Sequence, residues 1–216
     1  MLLSRGNHMG LVLLDGPAAP TERLERWLSE ATFFLCADGA GGRTLPRLPD
    51  AIVGDLDSIG EVSEDQTLIR LEEQDRTDAE KCVELCFEAG CDRVVLLGEI
   101  GGRWDHSLVQ LALPLAWPGQ VLMAGSEQIA MGVSGKEEFR IPEGRALSLF
   151  PLFGPARGVT LRGCLWPLER EDLLQTEGRT ASNRVCQESV SLEIESGSVL
   201  LICEHRSEDP LWRLGP

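Results

Sequence analysis

Residues 51–58 read Ala-Ile-Val-Gly-Asp-Leu-Asp-Ser, a short apolar run followed directly by an acidic loop. The same order, a strand-sized apolar run and then a polar cluster, recurs through the first half of the chain. Amphipathic segments with helical spacing lie between these runs. Strands separated by helices are typical of a mostly parallel sheet, so we predict a Rossmann-like α/β domain over residues 1–125.

The elements of this first domain follow from periodicity and from turn residues. A capping-box pattern, Thr77 with Glu80, marks one helix start, and Pro114 is expected to end the last helix. The predicted strands are 11–14, 32–36, 51–53, 67–71 and 94–97, and the predicted helices are 21–29, 77–89 and 105–112.

Helical periodicity is nearly absent after Trp117, where short apolar runs are broken by Gly or Pro. This pattern predicts an all-β sandwich domain over residues 126–216. Alternating apolar residues at 190, 192 and 194, a turn at 195–198 and a second apolar run at 199–203 predict a β-hairpin.

Composition excludes several classes of protein. The chain has 216 residues, 43% hydrophobic and 25% charged, with a formal charge of −15, which excludes wholesale disorder and a fibrous repeat. The excess of acids predicts no nucleic-acid partner. No apolar run approaches the roughly 20 residues of a membrane-spanning helix, and the N-terminus does not resemble a secretory signal. We therefore expect neither a membrane association nor export.

The chain has seven cysteines, an odd number, with no C-x-x-C pair. This set indicates neither a disulfide framework nor a zinc site, and it predicts a reducing, cytoplasmic location. Cys82 and Cys86 lie one helical turn apart and could share a metal, but free cysteines are more often buried core residues.

Four polar clusters follow predicted strands of the first domain, at residues 37–40, 54–58, 74–81 and 98–106. In an open parallel sheet, ligands bind beyond the carboxyl ends of the strands. We therefore expect the four clusters to converge at one edge of the sheet.

Asp55 and Asp57 form the first candidate pair. In an extended chain, residues i and i+2 point the same way, so both carboxylates would lie on one side while Leu56 packs on the other. Two such carboxylates suit Mg²⁺, a hard cation that takes its remaining ligands from water and substrate. The alternative is an acidic loop that only caps a helix or turns the chain.

The third and fourth clusters add possible cations. If Thr77 is the helix cap, Asp78 and Lys81 are neighbours in the first helical turn, either as part of a phosphate site or as a surface ion pair. Gly101 and Gly102 allow a close backbone approach to an anion beside Arg103. Asp105 is a plausible cap of the following helix, with His106 in its first turn as a structural hydrogen bonder. The chain has neither the Walker pattern nor G-x-G-x-x-G after a strand, so any nucleotide is held in another way.

These four clusters resemble, in order and spacing, the motifs of the thiamine pyrophosphokinases. That family's pattern runs A-D-G-G, G-D-[FL]-D-S, D-Q-x-x-T-D-x-x-K and G-G-R-x-D-H. Residues 37–40, 54–58, 73–81 and 101–106 match it in turn, and residues 160–168 and 178–183 resemble the family's G-L-K-[WY]-x-L and S-N stretches.

The resemblance implies a homodimeric enzyme that transfers the pyrophosphoryl group of ATP to the hydroxyl of thiamine, giving thiamine diphosphate and AMP. It places three acids at a Mg²⁺ ion, namely Asp55, Asp57 and Asp78. Contacts to the triphosphate would come from Gln74, Lys81 and Arg103, and Asp38 and Asp105 would complete the polar crevice. In the second domain, the resemblance implies that Trp166 faces the aminopyrimidine ring of thiamine in a pocket shaped by Ser182 and Asn183, across the dimer interface.

The sequence departs from the family pattern at three positions, Ala40, Glu73 and Leu165. Leu165 matters most, because a basic residue commonly precedes the aromatic residue there. Without the flanking match, Trp166 would more often be a core residue. Two other functions stay open: a protein that binds a nucleotide or thiamine compound without turnover, and a related transferase that acts on another alcohol such as a pterin.

Overall fold

A computed structural model of the chain describes residues 8–16, 21–57, 59–60, 62–73, 75–98, 100–101, 103–206 and 209. The chain divides into two compact units. Unit 1 takes its residues from 1–110 and 123–126, and unit 2 takes its residues from 111–122 and 127–216. In the described part of the chain, no helix combines the length and the apolar character needed to cross a bilayer.

Unit 1 is built on parallel strands with helical connections, as the alternation in the sequence predicts. Its strands are β1 (Met9–Leu13), β2 (Phe33–Ala37), β3 (Ala51–Gly54), β4 (Leu68–Arg70) and β5 (Arg93–Leu97). Its helices are α1 (Thr21–Glu30), α2 (Asp78–Glu88) and the first half of α3 (Trp104–Ala116), and β6 (Val121–Ala124) follows at the boundary of the units.

The five parallel strands lie in the order β5-β1-β2-β3-β4. The chain moves outward from β1 to β4 and then returns to the other side of β1, so β1 and β5 form the point where the strand order reverses. β1 is buried along its whole length, which explains why it is continuously apolar rather than alternating. All five strands end at the same edge, where the predicted polar clusters follow them.

The predicted capping box at the start of α2 is confirmed. The Thr77 hydroxyl accepts a hydrogen bond from the Glu80 amide at 3.4 Å, and the Glu80 carboxylate accepts one from the Thr77 amide at 2.7 Å. Cys82 and Cys86 of this helix are both fully buried, in agreement with their interpretation as core residues.

Unit 2 includes the second half of α3 and the start of β6, and the strands that follow pair antiparallel, in agreement with the short apolar runs after Trp117. Its strands are β7 (Gln128–Val133), β8 (Lys136–Arg140), β9 (Ala146–Phe150), β10 (Ala156–Arg162), β11 (Leu168–Leu173), β12 (Asn183–Arg184), β13 (Ser189–Glu193) and β14 (Val199–Glu204). They pair in two sets of four, β12-β9-β14-β7 and β11-β10-β13-β8.

The predicted hairpin of residues 190–194 and 199–203 is wrong. Both strands form, but β13 pairs with β8 and β10, whereas β14 pairs with β7 and β9. The intervening turn carries the chain from one set of strands to the other. Gly197 makes this crossing possible, because its φ of 88° is left-handed and a Cβ there would lie 2.5 Å from the Pro155 carbonyl oxygen.

The predicted end of the third helix before Pro114 is also wrong, since α3 continues through Pro114 to Ala116. Pro114, in the last turn of the helix, has no N–H to donate to the carbonyl four residues earlier, but the bonding resumes beyond it, since the Trp117 amide donates to the Leu113 carbonyl oxygen at 3.3 Å. Gly132 of β7 packs directly against this turn, and a Cβ there would lie 2.1 Å from the Pro114 carbonyl oxygen.

Candidate active site

Three acids meet at the carboxyl ends of β2 and β3. Asp38 follows β2, and Asp55 and Asp57 follow β3; one carboxylate oxygen of each lies within 4.8 Å of the others. Asp38 is buried, with only 3% of its surface exposed, whereas Asp57 is exposed. Three like charges at this separation repel one another, and an all-oxygen donor set of this kind fits a hard divalent cation.

The loop that carries Asp55 and Asp57 is bent rather than extended, so the predicted extended-chain alternation is wrong as the reason for their proximity. Leu56 has a φ of 64°, a left-handed conformation that is strained for a residue with a branched side chain. The Asp57 amide donates to Asp55 Oδ1 at 3.3 Å, which closes the bend. A turn of the backbone therefore brings the two carboxylates together.

Gly54, the last residue of β3, lets two further side chains approach this loop. A Cβ on Gly54 would lie 2.6 Å from Asp38 Cβ and 2.9 Å from Asp78 Oδ2. Any side chain at this position would displace both acids. The glycine is therefore required by the close packing of Asp38 and Asp78 against the backbone.

Asp78 and Lys81 are neighbours in the first turn of α2, as the cap predicts. Lys81 Nζ donates to Asp78 Oδ1 at 3.2 Å and to the Leu71 carbonyl oxygen at 3.3 Å. The alternative of a surface ion pair is excluded, because only 4% of the Lys81 side chain is exposed. Asp78 lies outside the group of three acids and forms its ion pair beside it.

Arg103 and Asp105 form an exposed pair after β5. Arg103 donates to Asp105 Oδ1 at 3.2 Å and to Oδ2 at 2.5 Å, and these bonds lower the pKa of Asp105 to about 2. Because the pKa is lowered, Asp105 stays ionised at neutral pH and releases Arg103 only as the pH falls toward that value. The helix begins at Trp104, so Asp105 lies in its first turn and not at the predicted cap position.

Sequence reasoning missed a third ion pair at this edge of the sheet. Arg43, from the loop after β2, donates to Asp15 Oδ1 at 3.1 Å and also to the Gly16 carbonyl oxygen. Asp15 packs over Gly39, where a Cβ would lie 2.6 Å from Asp15 Oδ2. The signal that could have found it is the position of Asp15, directly after the first predicted strand.

In unit 2 the predicted thiamine-facing residues lie at one end of β10 and β12. The Trp166 side chain is exposed, at 60%, so its interpretation as a core residue is excluded. Asn183 is buried and hydrogen-bonded to the backbone of Trp166, and the Ser182 amide donates to Ser148 Oγ at 2.9 Å. Leu165, at the position where the family pattern has a basic residue, is exposed.

The predicted contact residue Gln74 lies outside the described residues. Of the remaining predicted residues, Asp38, Asp55 and Asp57 form one group, Asp78 and Lys81 lie next to it, and Arg103 pairs with Asp105. A parallel α/β sheet with acids gathered at its carboxyl edge is typical of enzymes that bind a metal-bound polyphosphate.

Comparison with known proteins agrees with this class. Residues 24–120 match the family model described as the catalytic domain of thiamin pyrophosphokinase, and residues 134–199 match its vitamin B1 binding domain. The chain belongs to the thiamin pyrophosphokinase family.

Relatives agree over most of the chain's length. A thiamine pyrophosphokinase of Arabidopsis thaliana is 26% identical over 229 aligned positions, covering 89% of this chain and 85% of the relative. A similar fold is found in the thiamine pyrophosphokinase of Bacillus subtilis, with a TM-score of 0.80 at 19% identity, covering 91% of this chain and 98% of the other. The yeast enzyme has a TM-score of 0.76 at 18% identity, covering 95% and 88%.

Replacing Gly54 with alanine tests the packing of the acids. The new Cβ must displace Asp38 and Asp78, and a displacement of about 1 Å at a reacting centre typically lowers turnover roughly a hundredfold. Turnover and its dependence on Mg²⁺ concentration should both change in Gly54→Ala. Gly154→Ala is the matched control, because a Cβ there meets no atom within 4 Å; equal activities of the two variants would contradict the packing argument.

Proposed function

We propose that this chain transfers the pyrophosphoryl group of ATP to the hydroxyl of thiamine, giving thiamine diphosphate and AMP. The observation that carries the proposal is the group Asp38, Asp55 and Asp57, placed at the carboxyl edge of a parallel sheet within the part that matches the family's catalytic domain. AMP release from Mg-ATP, measured with and without thiamine, tests the reaction directly. Competition by other alcohols tests the acceptor.

The two units have separate tasks in this proposal. A Rossmann-like catalytic domain over residues 1–125 binds ATP and Mg²⁺, and a β-sandwich domain over residues 126–216 binds thiamine. The parallel strand order of unit 1 and the two antiparallel sets of unit 2 support this division. The seven free cysteines, six of them buried, support a reducing cytoplasmic location.

The Mg²⁺ ion is held or surrounded by Asp55, Asp57 and Asp78, and Asp38 contributes a further carboxylate. The support is chemical: carboxylate oxygens are the ligands that Mg²⁺ prefers, and the repulsion among the acids falls when a cation is bound. A Mg²⁺ ion held by these residues would neutralise charge on the transferred pyrophosphoryl group and on the leaving AMP. One of these aspartates accepts the proton of the attacking hydroxyl.

Local cations are needed because the chain as a whole carries a charge of −15. Lys81, Arg103 and Gln74 contact the triphosphate, and Asp38 and Asp105 complete the polar crevice. Lys81 is already fixed by Asp78 and by the Leu71 carbonyl, so its ammonium is held in place before ATP arrives. Arg103 is exposed and paired with the neighbouring Asp105, so it can share its planar donors with a phosphate.

Thiamine binds at the exposed Trp166, with Ser182 and Asn183 shaping that site. An exposed indole offers its π-face to a flat cationic ligand, and such contacts contribute about 0.5 to 2 kcal/mol. The exposure of Trp166 supports this role, because a core tryptophan would have no free face.

Asp57→Asn tests the metal assignment. The substitution removes an anionic ligand but keeps the side-chain shape, so turnover should fall about a hundredfold while the KM for thiamine changes by less than about threefold. Steady-state kinetics across a Mg²⁺ titration provides the measurement. Asp65→Asn, an exposed acid outside the group, is the control; unchanged turnover with normal Mg²⁺ dependence in Asp57→Asn would refute the assignment.

Trp166→Ala tests the thiamine site. The KM for thiamine should rise between about twofold and thirtyfold, the range that corresponds to the lost cation–π attraction, with the KM for ATP nearly unchanged. The thermal midpoint should stay close to that of the parent protein, because the side chain is exposed. A collapse of the fold, or equal effects on both substrates, would contradict this role.

The chain acts as a homodimer in this proposal. Apolar side chains are exposed along the start of α3, with Trp104 at 88% and Leu108 at 54%, and Ile100 lies just before the helix at 42%. Trp104 and Leu108 are one helical turn apart and so share a face. A contiguous exposed apolar face of this kind is typical of an interface, and a second copy of the chain would cover it.

Leu108→Glu tests this interface. A carboxylate on the face should shift the protein from dimer to monomer, measured by sedimentation velocity over a range of concentrations. Leu48→Glu is the control, because Leu48 is equally exposed but does not belong to α3. A parent protein that sediments as a monomer, or a dimer that survives Leu108→Glu, would contradict the proposed interface.

A further inference from the structure

We propose that Asn183 acts as a positioning residue, and that its side-chain amide fixes the backbone of Trp166 rather than contacting thiamine. This inference rests on the proposed function only for the identity of the ligand at Trp166. The placement of Trp166 by Asn183 is argued from unit 2 alone.

All three hydrogen bonds of the Asn183 amide go to the backbone. Its Oδ1 accepts from the Trp166 amide at 3.1 Å and from the Arg184 amide at 2.8 Å, and its Nδ2 donates to the Trp166 carbonyl oxygen at 2.6 Å. The residue is only 6% exposed. The amide oxygen and one of the amide N–H groups are therefore already bonded to the backbone of the protein.

The side-chain amide of Asn183 takes the place of the backbone group that would form the next hydrogen bonds of a β-ladder. Cys164 and Val185 form an isolated antiparallel bridge, and the Leu165 amide donates to the Arg184 carbonyl oxygen at 2.8 Å. Beyond this point Ser182 has a φ of 58°, and its amide bonds to Ser148 Oγ. The backbone turns away at Ser182, so the Asn183 side chain pairs with Trp166 in place of a backbone group.

The hydrogen bonds from Asn183 restrain the backbone that carries the Trp166 indole. Trp166 has a backbone held at both its N–H and its C=O, while its side chain is exposed. An exposed aromatic residue on an unrestrained loop would lose conformational entropy when a ligand orders it. Fixing the backbone in advance reduces that loss, so Asn183 should strengthen binding at Trp166 without touching the ligand.

The first measurement does not involve thiamine. Hydrogen exchange of the Trp166 amide is followed by NMR of the full-length protein labelled with isotopic tryptophan, with the resonance assigned by its loss in Trp166→Phe. In Asn183→Ala this amide should exchange at least about tenfold faster, because it has lost its acceptor, while the other tryptophan amides keep their rates. Unchanged exchange at Trp166 would overturn the proposal.

The second measurement separates positioning from direct contact by a double-mutant cycle. Asn183→Ala should raise the KM for thiamine about tenfold in the parent protein, and less than about twofold when Trp166 is already alanine, with kcat and the KM for ATP little changed in both backgrounds. Equal effects in both backgrounds would mean that Asn183 contacts thiamine itself and would overturn the proposal. Parallel losses in kcat and in both KM values would show a merely structural role and would overturn it too.

Matched variants keep both measurements decisive. Thr180→Val removes another buried side-chain bond of unit 2, from Thr180 Oγ1 to the Leu149 carbonyl oxygen at 2.5 Å, and should leave Trp166 exchange and the thiamine KM unchanged. If Asn183→Ala does not fold, Asn183→Asp keeps an acceptor for the Trp166 amide but replaces the donor with a carboxylate oxygen that repels the Trp166 carbonyl oxygen, and the same cycle applies. If Trp166→Ala leaves the KM for thiamine unchanged, the proposed thiamine site at Trp166 is refuted. Hydrogen exchange of the Trp166 amide still tests whether Asn183 fixes the Trp166 backbone.

Discussion

Mutual repulsion among the carboxylates of Asp38, Asp55 and Asp57 is the constraint on which the rest of the site depends. Their oxygens lie within 4.8 Å of one another in a chain that already carries a large excess of acids. A bound cation would offset this repulsion. Gly54 allows Asp38 to pack closely against the backbone, and the left-handed conformation of Leu56 accompanies the bend that brings Asp55 and Asp57 together. Backbone strain such as that at Leu56 is concentrated at functional sites.

The ion pair of Asp78 and Lys81 adds a fixed cation next to the three acids. A buried lysine is costly unless its charge is paired, and here Asp78 pairs the charge while the Leu71 carbonyl oxygen accepts a second proton. The capping box at Thr77 fixes the helical turn on which both residues lie. Local helix chemistry thus sets the position of a cation beside the acids before any substrate is present.

Much of the fold followed from sequence because local patterns determine it. Continuous apolar runs separated by amphipathic segments indicated the parallel sheet, and the capping box predicted the contact of Asp78 with Lys81. The sequence could not show that Asp38 joins Asp55 and Asp57, because that contact depends on the pairing of β2 with β3. β11 was not predicted, because the centre of the strand consists of four charged residues. Its pairing with β10 is also irregular, with two shifts of register. The false hairpin has a related cause: alternation predicts a strand but not its partner.

Anomalous diffraction from crystals grown with Mn²⁺ and a non-hydrolysable ATP analogue tests the central claim most directly. If the acids share one divalent ion, a single metal peak should lie about 2.1 Å from carboxylate oxygens of Asp38, Asp55 and Asp57, with phosphate oxygens completing its shell. A bound analogue whose metal touches none of these acids would contradict the account.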